Sequence, residues 1–189
     1  MNASRLNALT DGVIAIVLTI MVLELKVPAE PSIAAVRAVL PLLGAYLLSF
    51  INIGIFWNNL HNMMQSTRKV NGAVLWANLA LLFWITLIPL VIRWIDEAGI
   101  TPWPVASYGA ILLCSAISYL LLERALIAAE GEDSAVKRAV GSKFKEWVSF
   151  ATYAAAFGLA FVSPYISIGL YVAVSVMWFI PDRRFEERA

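Results

Sequence analysis

Asp11 poses the first chemical question in this chain. It lies in Arg5–Leu25, RLNALTDGVIAIVLTIMVLEL, an apolar run that also carries Arg5, Asn7 and Thr10 in its first third and Glu24 at its far end. A carboxylate at the centre of a membrane helix costs about 2.5–3.5 kcal/mol on insertion scales, so Asp11 requires a partner or a wet cavity. A second group of polar residues follows in Asn52, Trp57, Asn58, Asn59, His61 and Asn62. On a helix, Asn58 shares a face with His61 (i, i+3) and with Asn62 (i, i+4). Two chemistries fit. Asp11 and His61 could form a proton relay or vestibule. Alternatively the asparagines, His61, Asp11 and Arg5 form a structural clamp joining the cytoplasmic halves of the first three helices, through hydrogen bonds averaging about 0.6 kcal/mol each. A lone histidine at a membrane edge favours the clamp.

The first helix has a second face. At about 100° per residue, Gly12, Ile16, Thr19 and Leu23 form one narrow stripe with Ile20 at its flank, and Asp11 points about 100° away. The stripe and the carboxylate therefore face different neighbours. An apolar stripe with one threonine is more often a helix-packing seam than a pore wall, and taken alone it favours packing.

Other chemistries find little support. The chain has one cysteine, Cys114, and one histidine, His61, which excludes an internal disulfide and makes a Cys/His metal cluster implausible. No paired-carboxylate, His-x-Glu or Gly-rich phosphate motif lies within the apolar runs, so no enzyme, metal site or cofactor is expected.

The elements that position these residues are membrane helices. The 189 residues are 61% hydrophobic and 14% charged, against about 45–50% and 25% in soluble domains. A hydrocarbon core about 30 Å thick needs about 20 apolar residues per crossing. The expected fold is a single all-α polytopic membrane domain, 1–189, with six spans at about 6–25, 35–64, 71–94, 105–122, 147–162 and 165–180. A polar linker covers 123–146 and turns at Gly131. Pro41 should kink the second span or mark a start outside the bilayer. The first run is too long for a signal peptide and lacks a cleavage site, so it reads as a retained helix.

Lysine and arginine placement orients the chain. One side holds Arg5, Arg68, Lys69, Arg124, Lys137, Arg138, Lys143, Lys145, Arg183, Arg184 and Arg188, and the other holds Lys26, Arg37 and Arg93. Eleven against three places both termini in the cytoplasm. Trp94, Trp103, Trp147 and Trp178 fall near span ends, where aromatic anchors belong.

The motifs on the first three spans resemble those of the bacterial relatives of transmembrane protein 175, the lysosomal potassium channel. The first helix carries Arg5, then Leu9-Thr10-Asp11-Gly12, an apolar run with Thr19, and Leu23-Glu24-Leu25. The second carries Ser49-Phe50 and Phe56-Trp57-Asn58-Asn59-Leu60-His61, and the third Trp76, Asn78 and Ile88-Pro89. The likeness covers residues 5–95. Leu9-Thr10 replaces the usual Phe-Ser, and Asn62 the usual second histidine, so hydroxyl and carboxylate chemistry survive while the aromatic packing does not.

The resemblance implies a homotetramer of six-helix subunits in the bacterial inner membrane, with four first helices around a central pore and no carbonyl selectivity filter. It implies a constriction at Ile16, a potassium-preferring layer at Thr19, and a further ring at Leu23 with Ile20 beside it. The polar network then comprises Arg5, Thr10, Asp11, Trp57, Asn58, His61 and Asn78. The expected function is a leak-type channel, weakly to moderately selective for potassium over sodium. Its expected partners are membrane lipid and its own copies, with no nucleic acid, small-molecule substrate or cofactor besides the permeant ion. The competing expectation is a proton-coupled transporter using Asp11, Glu24 and His61, or proton passage through the same pore. A membrane-embedded structural protein is a third.

Overall fold

The computed structural model describes residues 3–26, 28, 30–67, 69–131, 134, 136–137 and 143–179. Its principal elements are α1 (Ala3–Leu23), α2 (Ile33–Gln65), α3 (Gly72–Thr86), α4 (Ile88–Ala98), α5 (Pro102–Glu130), α6 (Phe144–Leu159) and α7 (Pro164–Phe179). No strand occurs among the described residues.

Local chemistry sets the helix ends. Ser32 caps α2 by accepting from the Ala35 N–H at 3.1 Å, and Asn71 caps α3 by accepting from the Val74 N–H at 3.0 Å. Each satisfies one of the four amides that a helix start leaves unpaired. Prolines occupy the first turns of α4, α5 and α7, where a missing N–H is harmless. Gly99 (φ 71°) and Gly131 (φ 105°) end α4 and α5 in backbone conformations that a side chain would strain.

The expected span 71–94 is two helices. Pro89 cannot donate to Ile85, and its ring crowds that carbonyl, so the chain tightens at Leu87, whose N–H reaches Trp84 O at 3.2 Å. Pro41, by contrast, sits inside an unbroken α2. The expected linker 123–146 is narrower than its composition implied, because α5 runs on to Glu130 and α6 starts at Phe144. Arg68, Arg138, Glu132, Asp133 and the segment from 180 onward lie outside the described residues.

Among the described residues, four helical stretches are long and apolar enough to cross a membrane: α1, α2, α3 with α4 (Gly72–Ala98), and α5. Helix α7 is apolar but has 16 residues, as does α6. Helix α5 is the hub, packed against α3, α4, α6 and α7, while α1 lies at the side of the bundle against α2, α3 and α4. Behind α2 a polar core ties the later helices together. The Tyr108 hydroxyl lies 3.1 Å from Ser49 Oγ and 3.3 Å from Asn52 Nδ2, and Ser175 Oγ lies 3.2 Å from Asn52 Oδ1. All four are buried. Unpaired, such groups would be costly in hydrocarbon, so their mutual bonds select one packing of α2, α5 and α7.

Candidate functional site

The two faces of α1 differ in kind. Leu6, Thr10, Ile14, Val17 and Met21 recur at helical spacing and are buried against the rest of the protomer. Two polar contacts fasten this side. Asn78 Nδ2 on α3 donates to Thr10 Oγ1 at 3.0 Å, and the threonine proton has two acceptors in reach, Leu6 O at 3.0 Å and Asn78 Oδ1 at 3.3 Å. Trp57 Nε1 on α2 donates to Asp11 Oδ1 at 2.9 Å.

Thr10→Val tests the first contact. It keeps the shape of the side chain but leaves the fully buried Asn78 amide short of a partner. A loss of about 1–2 kcal/mol is expected in thermal unfolding, with Asn78→Leu in the same chain recovering part of it. Strictly additive losses would contradict the coupling.

His61 turns elsewhere. Its ring stacks on Trp57 (centroids 5.3 Å apart, planes at 26°), and Gln65 Nε2 lies 2.7 Å from its Nε2. Trp57 therefore mediates between Asp11 and His61, and no direct bond joins the two. Asn52 belongs to the polar core behind α2. Arg5 and Asn58 are exposed on the protomer surface, apart from the Thr10–Asn78 and Asp11–Trp57 contacts. The spacing of Ser49 and Asn52, i and i+3, was the available sequence signal for that second polar face of α2.

The opposite face of α1 carries Gly12, Ile16, Thr19, Ile20 and Leu23, all exposed, with Ile16 at 59% and Leu23 at 80%. Among the described residues of the protomer, nothing covers this stripe. Thr19 Oγ1 donates to Ile16 O at 2.8 Å within its own turn. Its single proton is thereby committed to the backbone, and what it presents outward is an oxygen with lone pairs, a cation acceptor. No group of three or more metal-ligating side chains occurs among the described residues.

Fold and site together define an α-helical polytopic membrane protein whose first helix is anchored on one side and bare on the other. The family model described as the endosomal/lysosomal potassium channel TMEM175 matches residues 5–89. A potassium channel of Chryseobacterium sp. (strain P1-3) is 49% identical over 187 residues, covering 99% of this chain and 97% of that protein. A potassium channel of Chamaesiphon minutus is 29% identical over 184 residues, covering 91% of each. The crystal structure of a lysosomal potassium-selective channel TMEM175 homolog from Chamaesiphon minutus superimposes with a TM-score of 0.76 at 25% identity, covering 94% of this chain and 96% of that one. The chain belongs to the TMEM175 potassium channel family. That family consists of channels, not enzymes, and potassium is its permeant ion.

Proposed function

We propose that this chain forms a leak-type potassium channel, a homotetramer in the bacterial inner membrane with four copies of α1 around a central pore. The observation that carries the reading is the bare stripe Ile16–Thr19–Leu23 on a helix whose other side is pinned by Thr10–Asn78 and Asp11–Trp57. A monomer would leave it to lipid. Four copies turn it inward, and the pinned side holds its radius.

In that assembly Ile16 forms the constriction, Thr19 the layer above it, and Leu23, flanked by Ile20, a further ring. A hydrophobic ring gates by dewetting, because an ion must shed part of its hydration to pass. Potassium holds its water less firmly than sodium, so the ring favours potassium modestly, and the outward-facing Thr19 oxygens replace part of the lost hydration. No arginine-repeat helix is present, so flux should depend only weakly on voltage.

The proposed topology has six crossings with both termini cytoplasmic. Helices α6 and α7, at about 24 Å each for 16 residues, complete the count. Trp178 Nε1 donates to Ser149 Oγ at 2.9 Å, which sets one end of the pair at a common level.

The test is flux through purified protein in liposomes under a potassium gradient, with sodium substituted as the control. Potassium-driven, non-saturating flux is the expected result, from a particle four times the 20.8 kDa chain mass by native mass spectrometry. Flux absent in both salts, or saturable and coupled to protons, would overturn it.

A further inference from the structure

The junction of α5 and α6 holds a charge cluster, built around one fully buried carboxyl, that the pore does not use. Glu123, near the end of α5, is fully enclosed, and Lys143, immediately before α6, donates to its Oε1 from Nζ at 2.7 Å. Glu146, in the first turn of α6, comes within hydrogen-bonding reach of Glu123. Each carboxyl keeps one buried oxygen, Oε2, that no donor among the described residues reaches.

One ammonium neutralises one carboxylate, not two. Among the described residues, the other groups around Glu146 bring no positive charge: Asn52 and Asn59 from α2, Tyr119 from α5 and Trp178 from α7 line the cavity of about 40 Å³ beside it. The Lys145 ammonium lies 5.7 Å above the Trp178 ring, and Arg124 is exposed. Two ionised carboxylates in contact also have no proton with which to bond each other.

We propose that Glu123 and Glu146 share one bound proton, and that this proton latches the start of α6 to the end of α5. With it, the cluster is one carboxylate, one ammonium and one carboxylic acid, neutral in sum, and the acid hydrogen bridges the two carboxyls. Without it, two negative charges press together inside the protein and the junction loosens. The cavity is walled mostly by apolar surface but carries the polar groups of Asn52, Asn59 and Tyr119, and it is large enough for a water molecule, which needs about 10–15 Å³.

The electrostatics agree with the geometry. Burial first, and then the Glu123 carboxylate, push the Glu146 carboxyl up to about 7, with Lys143 pulling the other way. The unfolded chain gives up this proton near the ordinary value of 4.5, so between the two values the folded state binds more protons. The latch therefore contributes its full stability below about 4.5, loses it as pH rises through about 7, and contributes no further change above.

Thermal unfolding of the full chain in nanodiscs at about pH 5.5 and pH 8.5 reads this. The wild type should melt several degrees lower at the alkaline pH. Glu146→Gln, neutral at both, should remove most of that difference and melt at pH 8.5 nearly as the wild type does in acid. A wild-type shift equal to that of Glu146→Gln would overturn the proposal. Infrared difference spectra between the same pH values report the proton directly, whatever the variant's stability. A carboxylic-acid carbonyl band that is present in acid, lost in alkali and missing from Glu146→Gln supports the latch. A difference spectrum unchanged by the substitution overturns it. Neither readout involves ion flux, so the latch and the pore reading stand or fall separately.

Discussion

Replacing Ile16 by asparagine is expected to raise ion flux about tenfold and to bring sodium flux close to potassium flux, a barrier change of about 1.4 kcal/mol. In the proposed pore the barrier at Ile16 is the work of removing water from the ion between four butyl side chains. An asparagine amide donates to and accepts from water, so the ring stays wet and the ion keeps its shell. Hydration then no longer separates sodium from potassium, and the two fluxes converge. The substitution is clean because Ile16 faces away from the protomer core, on the side of α1 opposite Leu6, Thr10, Ile14, Val17 and Met21. Folding should be unaffected, which size-exclusion chromatography of the variant checks. Paired potassium and sodium flux in liposomes at matched protein content is the measurement, and fluxes with an unchanged ratio would move the constriction away from Ile16.

Gly109→Ala should be the most damaging conservative change to the fold. An added Cβ at this position in α5 would overlap the Tyr171 hydroxyl and ring. Tyr171 is fully buried, its Oη donates to Val105 O at 3.1 Å, and its ring meets Tyr108 edge-on at 5.4 Å. Overpacking of this kind costs about 1–3 kcal/mol, and a displaced tyrosine forfeits about 1 kcal/mol more in its hydrogen bond. Alanine returns about 1 kcal/mol in helix propensity. The net expectation is a loss of about 1–3 kcal/mol, seen as a lower melting temperature and as leakage of α7 from its seat on α5. Tyr171→Phe removes the overlapping oxygen, so the double variant should be more stable than the sum of the two single losses. Simple additivity would show that the overlap is relieved elsewhere.

Both predictions draw on features that differ in how far a linear sequence reveals them. The composition and the length of the apolar runs suffice for the class of protein, because hydrocarbon admits only helices or closed barrels and the runs are of helix length. Helical spacing likewise suffices to put Ile16, Thr19 and Leu23 on one side of α1 and Asp11 on another, since the rotation per residue is a constant of the helix. The break of the third span at Leu87 follows from Pro89 and was missed only because a short interruption does not disturb hydropathy.

What periodicity cannot supply is the identity of the partner across a gap. Spacing puts Asn58, His61 and Asn62 on one face of α2, yet the residue that reaches Asp11 is Trp57, and Arg5 stands apart from it. The rotation of α2 against α1 is decided by how side chains of particular volume interlock, a property of the pair rather than of either helix. Asn52 is the same case in reverse. It sits among the polar residues of α2 in sequence, but the packing turns it away from α1 to Tyr108 and Ser175. The Glu123–Glu146 pair lies furthest from sequence reasoning. Two acids in a stretch of mixed charge read as solvated, and only the return of α6 along α5 encloses Glu123, half-buries Glu146 and leaves them, among the described residues, one lysine to share. Sequence settles which surfaces each helix owns. Tertiary packing settles which of them meet, because desolvation and hydrogen bonding depend on the distance between elements and not on the order of residues along one of them.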